Sequence, residues 1–214
     1  GLILCKQPEK AGIREGTQAV KGVIVNDAEK IMSDHIVLAI GHSARDTFEM
    51  LAKTPLTMQP KDFAVGYRVQ HFQEQIDESQ YGKQDETCRE ALGAASYKLT
   101  AQTKDGRGVY SFCMCPGGYV VNASSEKGRL AVNGMSYHDR GSGVANAAII
   151  MTVTKEDFPD QSPLGGVAFQ RSLERAAWKA GNGKVPVQLF EDYQNHKPST
   201  RLKDVEPCIK GDCV

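Results

Sequence analysis

The chain has 214 residues, and its 26 basic side chains balance its 26 acidic ones, so its formal net charge is zero. A broad nucleic-acid surface usually needs an excess of Lys and Arg, and we therefore expect no nucleic-acid partner. No apolar run reaches the roughly 18 residues of a spanning helix, so we expect no membrane partner. Six unevenly spaced cysteines favour free thiols in a cytoplasmic protein over a disulfide scaffold.

The first informative segment begins with five consecutive apolar residues, Ile36–Ile40, which predict a strand covered on both faces. Gly41 ends this strand, and Ser43 is suited to cap a helix that follows it. The end of a buried strand next to a helix start is a natural place for an anionic or polar ligand group. An ordinary strand-to-helix turn explains the same pattern.

His42 and Arg45 are the polar side chains of this segment that could bind a ligand. At a helix start a neutral imidazole is favoured, and His42 could then hydrogen-bond a ligand carbonyl. Arg45 could hold a phosphate or carboxylate with two hydrogen bonds. Alternatively, Arg45 pairs with Asp46 or Glu49 on a solvated helix face.

Two thiols and a glycine-rich bend follow each other in Cys113-Met114-Cys115-Pro116-Gly117-Gly118. On a regular strand both sulfurs would share a face, and they are either thiols beside a cofactor or small core residues. A metal site is disfavoured because further ligands would have to come from distant residues, and we predict none. Backbone N–H groups of the bend could stabilise charge on a ligand, although a tight hairpin turn has the same sequence.

A polar run after a later strand completes the candidate residues. Asn133, Ser136 and Arg140 are rich in hydrogen-bond donors and are candidate substrate residues. Arg68 lies on an earlier strand and is a candidate for holding an acidic substrate. No pair of carboxylates in these segments is arranged for acid–base work.

Three of these runs, residues 36–46, 111–121 and 132–140, together resemble the family of uncharacterised bacterial FAD-dependent dehydrogenases. The resemblance covers roughly residues 20 to 190. It implies that the cofactor is FAD, and the residues predicted to contact it are Gly41, His42, Ser43, Arg45, Cys113, Cys115, Pro116, Gly117 and Gly118. The predicted substrate residues are Arg68, Asn133, Ser136 and Arg140.

Two motifs expected of that family are absent from the sequence. No G-x-G-x-x-G fingerprint opens a strand–helix unit, and no Gly-Glu-Gly-Ala-Gly-like run lies near the end. The sequence therefore resembles the central portion of such a flavoprotein. Because the pyrophosphate cradle supplies much of the affinity for FAD, we do not expect the chain alone to hold FAD tightly.

The predicted fold class is α/β or α+β, with a mixed-sheet substrate domain joined to a partial FAD-binding domain. The predicted divisions are a partial FAD-binding domain over 1–55, a substrate domain over 56–195 and a loose tail over 196–214. The expected activity of the parent protein is hydride transfer between an unknown small-molecule substrate and flavin, with NAD(P)H as a candidate partner. We expect the isolated chain to be inactive. The alternative is a non-enzymatic module that binds a small molecule or a partner.

Overall fold

The computed structural model describes residues 2–6, 18–202 and 209–210. The chain divides into two compact units. Unit 1 comprises Gly1–Pro60 with Ser162–Leu164, and unit 2 comprises Lys61–Gln161 with Gly165–Val214. Helices and mainly antiparallel sheets occur together, which confirms the predicted α/β or α+β class. The domain bounds predicted from the sequence stay a prediction.

Unit 1 contains a three-stranded antiparallel sheet and a short helix. The strands are β1 (Leu2–Lys6), β2 (Gln18–Val25) and β3 (Glu29–Met32), and β2 lies between the other two. Asn26 and Asp27 have φ angles of 49° and 55° in the β2–β3 turn, a conformation that Asn and Asp tolerate better than most residues. The helix α1 spans Arg45–Leu51.

The predicted strand over Ile36–Ile40 is wrong. The segment forms no strand, and within the described residues no strand pairs with it. The Val37 side chain is 89% exposed, and Leu38 is exposed as well. An apolar run becomes a buried strand only where a neighbouring strand takes up its backbone hydrogen bonds, and composition alone does not supply that neighbour.

Unit 2 is built around a four-stranded antiparallel sheet. In chain order its strands are β4 (Phe63–Phe72), β5 (Thr100–Gln102) and β6 (Gly108–Cys115). A second sheet contains β7 (Gly118–Asn122) and β8 (Val132–Ser136). The strand β9 (Val144–Val153) returns to the first sheet, whose order is β4-β9-β6-β5. The central β9 begins with four buried residues, which fits its apolar sequence.

The second sheet of unit 2 is mixed. The strand β10 (Ile209–Lys210) runs parallel to β7, and β8 runs antiparallel to β7 on its other side. Because β10 lies within the predicted loose tail, part of that tail is in regular structure. Residues 203–208 and 211–214 of the same tail lie outside the described residues.

Four helices and a 3-10 turn complete the described part of unit 2. They are α2 (Gln73–Tyr81), α3 (Glu86–Leu92), the 3-10 turn Lys155–Asp157, α4 (Gly165–Ala180) and α5 (Phe190–Gln194). Phe63 stacks on Phe158 with ring centres 5.3 Å apart, and Phe169 of α4 approaches both rings at 6.1 Å. These aromatic contacts pack α4 against the first residue of β4. None of the helices formed by the described residues has the length and apolar character needed to cross a bilayer.

Candidate functional site

The residues predicted to form the site fall into two groups. Gly41, His42, Ser43 and Arg45 belong to unit 1, and all the others belong to unit 2. Within the residues that the structure describes, no group of three or more His, Cys, Asp or Glu side chains is placed to hold a metal ion.

In unit 1 the loop over residues 41–43 is exposed. Ser43 is not the helix cap that its position predicts: Ala44 precedes α1, and no side chain caps the helix. The Ser43 hydroxyl instead lies 3.3 Å from Nε2 of His42. Arg45 is only 4% exposed, so the alternative that places it on a solvated helix face is wrong.

An open hollow of about 510 Å³ lies elsewhere in unit 1, beside the exposed apolar segment. Val20, Leu56 and residues 34–38 line it. At its edge Lys21 Nζ donates to Asp34 Oδ1 at 2.7 Å, and this hydrogen bond lowers the pKa of the Asp34 carboxyl. Gly41, His42, Ser43 and Arg45 are not among its lining residues.

In unit 2 a β-bulge separates the two thiols of β6. Phe112 pairs with Ala148 of β9, and Cys115 pairs with Asn146, so three steps on β6 match two on β9. Cys113 lies within the bulge with a φ angle of 44°. The regular alternation between the two cysteines is thereby broken, and the expectation that their sulfurs share a strand face was wrong. Cys113 is exposed, and Cys115 is half-buried.

The bulge places Cys113 and Cys115 next to Arg68 of β4, which is also a predicted site residue. Arg68 Nη1 donates to the Cys113 carbonyl at 3.1 Å and to Asn146 Oδ1, and it lies 3.8 Å from Cys115 Sγ. Arg68 Nη2 donates to Asn133 Oδ1 at 3.2 Å. We call these five residues, Arg68, Cys113, Cys115, Asn133 and Asn146, the Arg68 cluster. Four of them were predicted site residues, from three separate stretches of sequence.

Asn146 is the member of the Arg68 cluster that sequence reasoning missed. Its side chain is fully buried at 0% exposure, and Nδ2 donates to the Gly118 carbonyl at 2.8 Å. It thus links Arg68 to the start of β7. A signal was present in the sequence, because a lone amide between Ala145 and Ala147 in an apolar strand must find polar partners when buried.

The Pro116-Gly117-Gly118 bend is a packed corner between two sheets, since β6 and β7 do not pair with each other. All three residues are buried, and the Gly117 N–H donates to Gln73 Oε1 at 2.8 Å. A Cβ atom on Gly117 would overlap the backbone of Arg140, and Ser136 Oγ donates to the Pro116 carbonyl at 2.8 Å. At these points the bend and the 133–140 run touch, so no ligand fits between them.

His71 of β4 forms a hydrogen-bonded pair with Tyr97, which the sequence did not suggest. His71 Nδ1 is 2.9 Å from the Ala145 carbonyl, and Nε2 is 2.8 Å from the Tyr97 hydroxyl. A carbonyl can only accept, so the proton of a neutral His71 ring lies on Nδ1, and Nε2 accepts from Tyr97. Burial raises the pKa of the Tyr97 hydroxyl, which keeps it protonated as this donor.

Taken by itself, unit 2 is an α+β domain in which a half-buried guanidinium, two thiols and two amides meet beside a sheet junction. Residues 62–214 match the family described as FAD-dependent protein, C-terminal domain-like, and the chain belongs to that family. The match begins one residue after unit 2 does.

A curated relative is similar to most of the chain. An uncharacterised protein of Clostridium beijerinckii is 48% identical over 202 residues, which is 93% of this chain. The aligned part is 37% of that protein, so the chain spans little more than a third of its relative's length.

Proposed function

We propose that the chain is part of an FAD-dependent oxidoreductase that transfers hydride between a small-molecule substrate and flavin, with NAD(P)H as a candidate electron partner. The observation that carries the proposal is the match of residues 62–214 to an FAD-dependent family. Bound flavin would supply the redox step itself, and the protein would bind and orient the reactants.

The groups of unit 2 differ in how well they suit such a role. The Arg68 cluster presents a guanidinium and the exposed Cys113 thiol, which suit an oxygen-rich group of a cofactor or substrate. The bend at residues 116–118 does not suit a ligand cradle, because it is buried and the Gly117 N–H is already bonded to Gln73. Its role in our proposal is to hold the Cys113–Cys115 segment in place. The exposed Arg140 is the proposed substrate contact that a ligand can reach directly, whereas the exposed Asn133 contributes by holding the guanidinium of Arg68.

In unit 1 the exposed backbone of Gly41, His42 and Ser43 is the proposed contact with FAD. A φ angle of 69° at Gly41, with open space around it, leaves this backbone accessible to a ligand. Because Arg45 is buried, we propose that it supports this loop and does not bind phosphate directly.

The complete C. beijerinckii relative provides the test. Purified from cells and desalted, it should show the visible absorption bands of oxidised flavin, and these should bleach when NADH or NADPH is added without oxygen. This chain, treated in the same way and mixed with FAD, should come off the desalting column colourless. A relative that stays colourless after incubation with FAD would contradict the proposal. In that case binding of a colourless metabolite would favour the non-enzymatic module.

A further inference from the structure

We propose that Arg68 forms an oxyanion-binding site in unit 2, and that Asn146 and Asn133 are the residues that position its guanidinium. The ligand group is a carboxylate or a phosphate. The inference rests on the proposed function in one respect, since it names the chemistry of the group that this flavoprotein presents to Arg68. The site itself is defined by the residues of unit 2 alone.

The charge balance at Arg68 favours an anionic ligand. A guanidinium remains positively charged at any accessible pH. Its partners are two amide oxygens, one peptide carbonyl and the Sγ atom of Cys115, and none of them is a carboxylate. In the described part of the chain Arg68 makes no ion pair. A half-buried guanidinium has lost part of its hydration, and no carboxylate among the described residues compensates it, so an anion that joins it is favoured.

Hydrogen bonds orient the guanidinium of Arg68, but they do not use all of its N–H groups. Both Nη atoms are held, one by Cys113 and Asn146 and the other by Asn133. Nε makes no hydrogen bond with any described residue, and it is not among the buried atoms that lack a partner, so solvent or a ligand can reach it. An oriented arginine with a free donor is suited to carboxylate or phosphate.

Residues of three strands enclose the side chain of Arg68. Gly134 of β8 leaves room for it, because a Cβ atom there would overlap both Arg68 Nη1 and Asn146 Oδ1. The bulge at Cys113 of β6 offers its carbonyl to Nη1. The fully buried Asn146 of β9 accepts from the same nitrogen. Residues of three strands thus fix the position of this one guanidinium.

A purely structural arginine that ties the three strands together is the competing explanation, and charge separates the two. The decisive variant is Asn133→Asp. Asn133 Oδ1 only accepts, from Arg68 Nη2 and from the Gly134 N–H, so a carboxylate keeps both hydrogen bonds. Asn133 is exposed, so the fold tolerates the charge. The new carboxylate neutralises Arg68 without moving it.

Asn122→Asp is the matched control. Asn122 is exposed on β7, and its Oδ1 accepts from the Ser124 N–H and hydroxyl, so the substitution adds the same charge and keeps the same bonds. Calorimetric titrations of this chain with pyrophosphate and with succinate, in low-salt buffer, measure binding. We expect binding of at least one probe by the unmodified chain and by Asn122→Asp, and a loss of at least about tenfold in affinity in Asn133→Asp.

The two probes separate the possible sources of the oxyanion. Tighter binding of pyrophosphate assigns the site to the cofactor's phosphates, and tighter binding of succinate assigns it to a substrate carboxylate. Absence of binding with both probes, or equal binding by the two variants, overturns the proposal. The titrations contain no flavin, so a colourless C. beijerinckii relative would defeat the proposed redox function and leave this result unaffected.

Discussion

The two units differ in how they use apolar sequence. Among residues whose burial is described, nine of the ten buried apolar side chains lie in unit 2, and Leu51 alone lies in unit 1. The runs Ile36–Ile40 and Val144–Val153 are both rich in apolar residues. The second is the central strand of a sheet, whereas the first leaves Val37 89% exposed.

This difference shows that backbone partners, and not side-chain character, decide the fate of an apolar run. The strand β9 has β4 on one side and β6 on the other along most of its length. The run in unit 1 has no such neighbour among the described residues. We therefore expect unit 2 to respond strongly to changes in packing and unit 1 to respond weakly.

The largest expected effect is that of Gly117→Ala. The added Cβ overlaps the Arg140 backbone, which cannot move aside as a side chain can, and φ is 52° at this position. We expect the free energy of unfolding to fall by about 3 kcal/mol. The matched change in unit 1 is Gly41→Ala, where φ is 69° but no atom lies within 4 Å of the new methyl group. It should cost only about 1 kcal/mol in denaturant titrations.

Truncation of one valine in each unit is the next test. Val153 is 3% exposed at the end of β9, so Val153→Ala should lower the free energy of unfolding by about 2 kcal/mol. Val37→Ala should change it by less than about 0.5 kcal/mol, because the side chain is already in water. A large loss from Val37→Ala in urea unfolding would show that residues 36–40 are packed after all.

Removing the hydroxyl group from each of the two histidine–hydroxyl pairs should give a smaller difference in the free energy of unfolding. Tyr97→Phe removes the donor to His71 Nε2 in unit 2 and should cost about 1 kcal/mol of unfolding free energy. Ser43→Ala removes the exposed hydroxyl near His42 in unit 1 and should cost less than about 0.5 kcal/mol. An ultraviolet titration should find one tyrosine that ionises above the ordinary range and is missing from Tyr97→Phe.

The smallest effect is the dependence of stability on acid pH. Arg107 holds Asp157 through two hydrogen bonds of 2.7 and 2.8 Å, and this lowers the pKa of Asp157 below its ordinary 3.8. The pair's contribution to stability is therefore complete above pH 3.8 and is lost as the pH falls further. In Asp157→Asn this loss should be absent. Asp34→Asn in unit 1 should change the pH profile less, because the Asp34 side chain is 79% exposed and that of Asp157 is 22% exposed.

The sequence predicted much of the candidate site in unit 2, because its polar residues stand out from strand patterns. Arg68 and Asn133 could be proposed separately, and the fold brings them together. Asn146 was missed because its role depends on the register between β4 and β9, which no local pattern specifies. The bulge at Cys113 was missed for a similar reason, since one extra residue against a partner strand is invisible in a single strand's sequence.

The most direct test of the Arg68 site is nuclear magnetic resonance of the arginine Nε–H groups during titration with pyrophosphate or succinate. We predict that the chemical shift of the Arg68 Nε–H changes on titration and reaches a plateau. The Nε–H resonances of Arg107 and Arg171 should stay in place, because these two side chains are already bonded to carboxylates. In Asn133→Asp the same shift should need a probe concentration at least about tenfold higher. An unmoved Arg68 signal, or shifts spread evenly over the surface arginines, would contradict an oxyanion site at Arg68.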